Sequence, residues 1–136
     1  MSVLVDTPIW SQLFRRQSQK DPQVIQLRGL VERRQVLIIG AIRQEVLCGI
    51  RSAEQFARIR DGLRAFTDIV LSEQHFERAA EFYNTCRSRG VQGSSTDFLI
   101  CAAAELGGLK IFTTDKDFPR FAQHLPIELL TYPSSP

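Results

Sequence analysis

Cysteine and histidine are scarce in this chain, with three of the first and two of the second in 136 residues. Cys48, Cys86 and Cys101 are odd in number, far apart and each set among apolar helical neighbours. That excludes a disulfide framework and a zinc knuckle, and marks them as reduced core thiols. His75 and His124 stand apart from each other and from the acidic segments, which argues against acid–base chemistry by a histidine pair; both are expected to be surface or packing residues. Long apolar runs are missing too. No segment approaches the roughly 18 apolar residues of a membrane span, and the opening stretch holds three apolar residues before Asp6 with no basic lead-in. A cytoplasmic protein with no membrane segment is the expectation.

A net charge of only +2 leaves neither sign in large excess. What is present is a hydrophobic content of 43%, enough for one ordinary domain to bury a core. One domain over residues 1–132 is expected, with the polar end at 133–136 frayed. Fourteen of the 17 basic residues are Arg, which forks two hydrogen bonds to a phosphate where Lys offers a point charge. Setting aside Asp6, Glu45, Asp97, Asp115 and Asp117 as one site leaves a basic body, which suits a polyanionic substrate.

Val3 to Val5 reads as a short buried strand, followed by a helix with Thr7 as its cap and Pro8 as its first residue. Asp21-Pro22 opens a second helix running to about Arg33, with Val24, Leu27 and Val31 inward. Val36 to Ile39 is a strand buried on both faces; the helix after it carries Ile42, Val46 and Ile50 as core stripe and Glu45 beside them. Ser52 and Gln55 fit a capping box for a helix with Phe56, Ile59, Leu63 and Phe66 on one face and Arg58, Arg60 and Arg64 on another. Ile69 to Leu71 reads as a third strand, with Ser72 capping a helix striped by Phe76, Ala79, Ala80, Tyr83 and Cys86. After the loop Gly90 to Ser95, a helix from Thr96 is apolar nearly all round and so central. Lys110 to Thr113 is a fourth strand, the turn at 114–119 leads into a short last helix, and Pro126 to Leu130 is an edge strand. Strands alternating with helices imply an α/β fold, a central parallel sheet of about five strands flanked by helices.

Four acids fall at strand-to-helix junctions or near helix starts: Asp6, Glu45, Asp97 and Asp115. Taken singly, Asp6 could assist a cap, Asp97 a helix dipole, and Asp115 and Asp117 a turn. Glu45 has no nearby cap to explain it. In an open α/β domain the carboxyl ends of the strands face one crevice where ligands bind, so four acids together make a hard-cation site there.

Those segments resemble a known family. Val3-Leu4-Val5-Asp6-Thr7 before a Trp10 helix, Gln44-Glu45-Val46-Leu47-Cys48-Gly49, Gly93 to Ala102, and Thr113-Thr114-Asp115-Lys116-Asp117-Phe118 are similar, in order and over essentially the whole chain, to the motif set of PIN-domain ribonucleases, in particular the VapC toxins of toxin-antitoxin modules. The resemblance implies a single PIN-like domain and a Mg²⁺- or Mn²⁺-dependent endoribonuclease, inhibited by a VapB-like antitoxin and commonly a homodimer. It implies Asp6, Glu45, Asp97 and Asp115 as catalytic, metal-holding acids, with Asp117 joining or supporting them, and one of Ser94, Ser95 or Thr96 orienting the site. Cys101 departs from the family's usual alanine, a small-for-small change.

Oxygen donors without a Cys or His cluster suit Mg²⁺ or Mn²⁺ and not zinc. Arg15, Arg16, Arg58, Arg60, Arg64 and Ser95 are candidates for RNA contact. Three other readings exist. A housekeeping RNA-processing nuclease shares the chemistry. A receiver-like phosphoryl-transfer domain lacks its acid pair and late strand-end lysine here. A module that only binds RNA or protein would have no use for four costly acids.

Overall fold

Val3, Leu4 and Val5 have no solvent exposure, so the strand they form (β1, Val3–Val5) is covered on both faces, as a central strand of a parallel sheet must be. The structure, a computed structural model, describes residues 1–132; the end at 133–136, expected to be frayed, lies outside the described residues. β1 pairs in parallel with β2 (Val36–Leu37) on one side and β3 (Lys110–Phe112) on the other. β4 (Glu128–Leu129), two residues after Pro126, pairs with β3 at the edge, giving the order β2-β1-β3-β4.

The expected strand at Ile69 to Leu71 is reduced to one parallel bridge, Ile38 to Asp68, with the Ile69 N–H on the Ile38 carbonyl at 2.8 Å. Val70 is 86% exposed, so this run has too little to bury to extend the ladder. Four strands and this bridge make the α/β parallel sheet expected from the alternation of elements.

Among the described residues seven α-helices flank the sheet: α1 (Thr7–Leu13), α2 (Pro22–Glu32), α3 (Gly40–Leu47), α4 (Ala53–Leu63), α5 (Glu73–Ser88), α6 (Ser95–Gly107) and α7 (Asp117–Ala122). Several starts differ in detail from expectation. Asp6, not Thr7, caps α1, and the Thr7 hydroxyl finds no partner among the described residues. An aspartate one residue earlier already takes the Thr7 N–H, which leaves the hydroxyl no cap to make. α6 begins at Ser95 with Ser94 as its cap, one residue ahead of expectation. Ser52 accepts the Gln55 N–H as a capping residue should.

The core is built from the two faces of the sheet. Ile9, Trp10, Val24, Leu27 and Ile42 are fully buried, and Phe98, Ile100, Cys101 and Ala102 to Ala104 make α6 the buried helix its composition demanded. On α5 the inward stripe is Ala79, Phe82 and Cys86, while Phe76 is 55% exposed. Cys86 and Cys101 are buried thiols, whereas Cys48 is exposed: it caps the last turn of α3, where the helix leaves the core. Arg43 ties α3 down, donating to Asp68 at 2.7 Å and to the Phe66 carbonyl at 3.0 Å.

The chain leaves β1 toward β2 on one side and returns through β3 on the other, so the order reverses beside β1. The carboxyl ends of β1 and β3 at such a reversal border the crevice where open α/β sheets bind ligands. Gly93, just before the α6 cap, lies under two aromatic rings in that region: a Cβ there would stand 2.5 Å from Phe121 Cζ and 3.0 Å from Phe98 Cε2. Both rings are buried, so Gly93→Ala forces them apart. A loss of about 1–3 kcal/mol is expected by urea denaturation; a variant of unchanged stability would show that the rings yield freely.

Candidate active site

Parallel register places the residue after β1 beside the residue after β3. Val5 pairs with Phe112, the Asp6 N–H bonds the Phe112 carbonyl at 2.9 Å, and Asp6 and Thr113 are the next side chains out. Both are buried, Asp6 at 4% exposure and Thr113 at 6%. A carboxylate so enclosed must be hydrogen-bonded to remain ionised. Asp6 Oδ1 accepts the Thr7 N–H at 2.8 Å, and Oδ2 accepts the Thr113 hydroxyl at 2.7 Å.

Burial nonetheless pushes the Asp6 carboxyl up to about 6. The Thr113 and Thr7 hydrogen bonds pull it down, and the negative charges of Asp97 and Glu45 push it up further. Asp97, in the first turn of α6, forms a capping box with Ser94: its Oδ2 accepts the Ser94 N–H at 3.0 Å while Ser94 Oγ accepts the Asp97 N–H at 3.1 Å. Burial raises the Asp97 carboxyl as well; the Ser94 hydrogen bonds oppose this, and the charges of Asp115 and Asp117 add to it. Asp115 Oδ1 accepts the Asp117 N–H at 2.9 Å, turning the chain into α7.

Asp97 and Glu45 are thus near enough for their charge to act on Asp6, and Asp115 and Asp117 near enough to act on Asp97. Glu45 projects from the exposed side of α3. Among the described residues, no three acidic, Cys or His side chains close into a ready metal-ligand set. The donors are carboxylate oxygens, the kind a hard divalent cation takes, and their mutual repulsion is what such a cation relieves.

The arginine candidates sit on other segments than these acids, while Ser95 precedes Asp97 by two residues on α6. Arg15 and Arg16 follow the far end of α1, whose seven residues carry the chain about 10 Å from Asp6. On α4, Arg60 and Arg64 flank Asp61 at 3.1 and 3.7 Å, and Arg58 is exposed. Ser95 and Thr96 line a groove of about 420 Å³ between α5 and α6, with Phe76, Tyr83 and Leu99. Of the three hydroxyls before Asp97, Ser94 is the one that bonds it. His75 Nδ1 accepts the Ser72 N–H at 3.1 Å at the start of α5, a packing role. Thr113 was missed as a site residue; the sequence shows a threonine at a strand end, but its place beside Asp6 is set by the β1–β3 pairing.

The PIN domain family matches the chain over residues 3–123. Among solved structures the chain is similar to VapBC2 from Rickettsia felis bound to a DNA fragment from its promoter, at 20% identity and TM-score 0.73 over 96% of this chain and 98% of that one. It is similar to VapBC-1 from nontypeable Haemophilus influenzae, at 19% identity and TM-score 0.73 over 96% and 97% of the two chains. It also resembles a toxin-antitoxin complex from Klebsiella pneumoniae, at 28% identity and TM-score 0.63 over 86% and 90%. Comparison with curated proteins finds no match.

The raised Asp6 pKa fixes the sign of a pH dependence. The folded chain holds this proton more tightly than the unfolded one, so between pH 3.8 and about 6 folding takes up a proton and stability falls as pH rises. Above that window the loss is constant, on the order of 3 kcal/mol. With chelator present, Asp6→Asn is expected to be more stable than the parent at pH 8 by about 1–3 kcal/mol in urea, the gap closing toward pH 4. A less stable variant at pH 8 would mean that the two hydrogen bonds to the carboxylate outweigh its burial.

Proposed function

The chain belongs to the PIN domain family, whose members are generally nucleases, and from that membership we propose that it is a Mg²⁺- or Mn²⁺-dependent endoribonuclease, the VapC-type toxin of a toxin-antitoxin module. The observation that carries this reading is the buried Asp6 carboxylate at the reversal of strand order, with Asp97 and Glu45 bearing on it and Asp115 and Asp117 bearing on Asp97. Acids so placed repel one another unless a cation joins them. Residues 1–132 act as one nuclease domain in the cytoplasm; among the described residues no helix is long and apolar enough to cross a membrane.

Asp6, Asp97 and Asp115 would hold the cation, with Glu45 beside them and Asp117 in support. Bound there, it supplies polarisation of a phosphate oxygen and a water of lowered pKa. The chain's own part is to fix the carboxylates before substrate arrives, through the α1 cap, the α6 capping box and the turn into α7. Cleavage leaves a 5′-phosphate and a 3′-hydroxyl. Arg15, Arg16, Arg58, Arg60, Arg64 and Ser95 contact RNA outside the acidic centre, holding phosphates at a distance from it.

A VapB-like antitoxin and a second copy of the chain complete the assembly. Support for the first comes from neighbours that are themselves toxin-antitoxin or VapBC structures. Ile25, Val70 and Phe76 are large apolar side chains left exposed, as partner surfaces require.

Purified protein incubated with single-stranded and structured RNA is expected to cleave with Mg²⁺ or Mn²⁺ and to stop with chelator. No cleavage with either metal would sink the reading. Asp97→Asn keeps an acceptor for the Ser94 N–H and so should fold, yet lose cleavage by about a hundredfold or more, the order expected when a metal-holding or proton-handling group is removed. Cleavage by this variant at the parent rate would remove Asp97 from the site.

A further inference from the structure

Thr113 is a buried hydroxyl with two partners, both belonging to the acidic centre. Its Oγ1 donates to Asp6 Oδ2 at 2.7 Å and accepts the Asp115 N–H at 3.0 Å. A hydroxyl has one proton, and an amide can only donate, so the directions are fixed: the Asp115 N–H occupies a lone pair and the proton is committed to Asp6. A strand end beside a buried strand is served as well by valine, which has the same shape and no polar group to satisfy. Thr113 is 6% exposed, so its hydroxyl has little access to water and is retained against a desolvation cost.

We infer that Thr113 is a positioning residue of the proposed metal centre, its hydroxyl joining the first acid to the backbone of the fourth. Thr113 lies 107 positions from Asp6, and the side chain that joins the two acids belongs to neither. With Thr7 on Oδ1 and Thr113 on Oδ2, each oxygen of Asp6 has a donor from a different element, which fixes the carboxylate plane. The Asp115 N–H, drawn onto the same oxygen, orders the first residue of the turn into α7. Loss of the hydroxyl frees the Asp6 carboxylate on one side and the Asp115 backbone at once. Hydrogen-bond partners of metal ligands act in this way on affinity without touching the ion.

This inference rests on the nuclease reading, and Mn²⁺ binding separates the two. Mn²⁺ affinity, read by electron paramagnetic resonance on the full chain, is measured beside the kcat and KM of RNA cleavage. Thr113→Val is expected to weaken Mn²⁺ binding by about 10–100-fold and to lower kcat, with KM for RNA nearly unchanged. Thr113→Ser, which keeps the hydroxyl, should restore both to near the parent values. Ser and Ala lack the same methyl, so the Thr113→Ser and Thr113→Ala comparison isolates the hydroxyl even where the valine variant does not fold. A parent that binds Mn²⁺, with hydroxyl-free variants that are folded and bind it equally well, overturns the positioning role and leaves the nuclease reading intact. A parent that neither binds Mn²⁺ nor cleaves RNA overturns both.

Discussion

Burial of the Asp6 carboxylate is the constraint around which the rest is arranged. Taking an ionised group out of water without partners costs several kcal/mol, and this one is almost fully enclosed. The fold meets that cost with two donors that exist only because of its topology. One is the first N–H of α1, which must start immediately after β1; the other is a hydroxyl from the end of β3, which must lie next to β1 in register. Move either element by one residue and the carboxylate loses a partner. The remaining upward shift in its proton affinity is what burial and neighbouring acids leave uncompensated.

The other acids are fixed by the same economy of hydrogen bonds. Asp97 is half of a capping box, Asp115 closes the turn into α7, and Asp6 caps α1. Each uses at least one oxygen to hold its own backbone. The roles of cap and charge-bearing group, which looked like competing explanations from sequence, are the same geometry. An N-cap is a place where a carboxylate is welcome to the helix dipole, so helix starts collect acids at little cost, and the sheet then brings those starts together.

What could be read from sequence follows from that. Val3 to Val5, the apolar run at Val36 to Ile39 and the all-round apolar α6 announce a buried parallel sheet with a central helix, because local composition alone forces burial. The positions of the acids relative to those elements came with them. Long-range closure stayed hidden: Thr113 meets Asp6 across 107 residues, and only strand register reveals it. Marginal elements were hidden as well. Ile69 to Leu71 is apolar enough to suggest a strand, yet the edge beyond β2 gives Val70 nothing to pack on. Cys48 had apolar neighbours in sequence but sits where α3 turns off the core, a boundary that composition does not mark.

Cys101 shows how the interior protects the character of the site. It lies one turn after Asp97 on α6, fully buried, near enough to Asp97 and Asp6 to sense their charge. A thiolate there would add a soft ligand beneath a set of hard oxygen donors and change which metals the centre prefers. Burial pushes the thiol far up, and the charges of Asp97, Cys86 and Asp6 push in the same direction. The sulfur therefore stays protonated and behaves as a small apolar residue, the role alanine would fill. Burial is the main reason this sulfur cannot ionise, and the neighbouring acids add to it, so Cys101 sets no thiolate beside their oxygens.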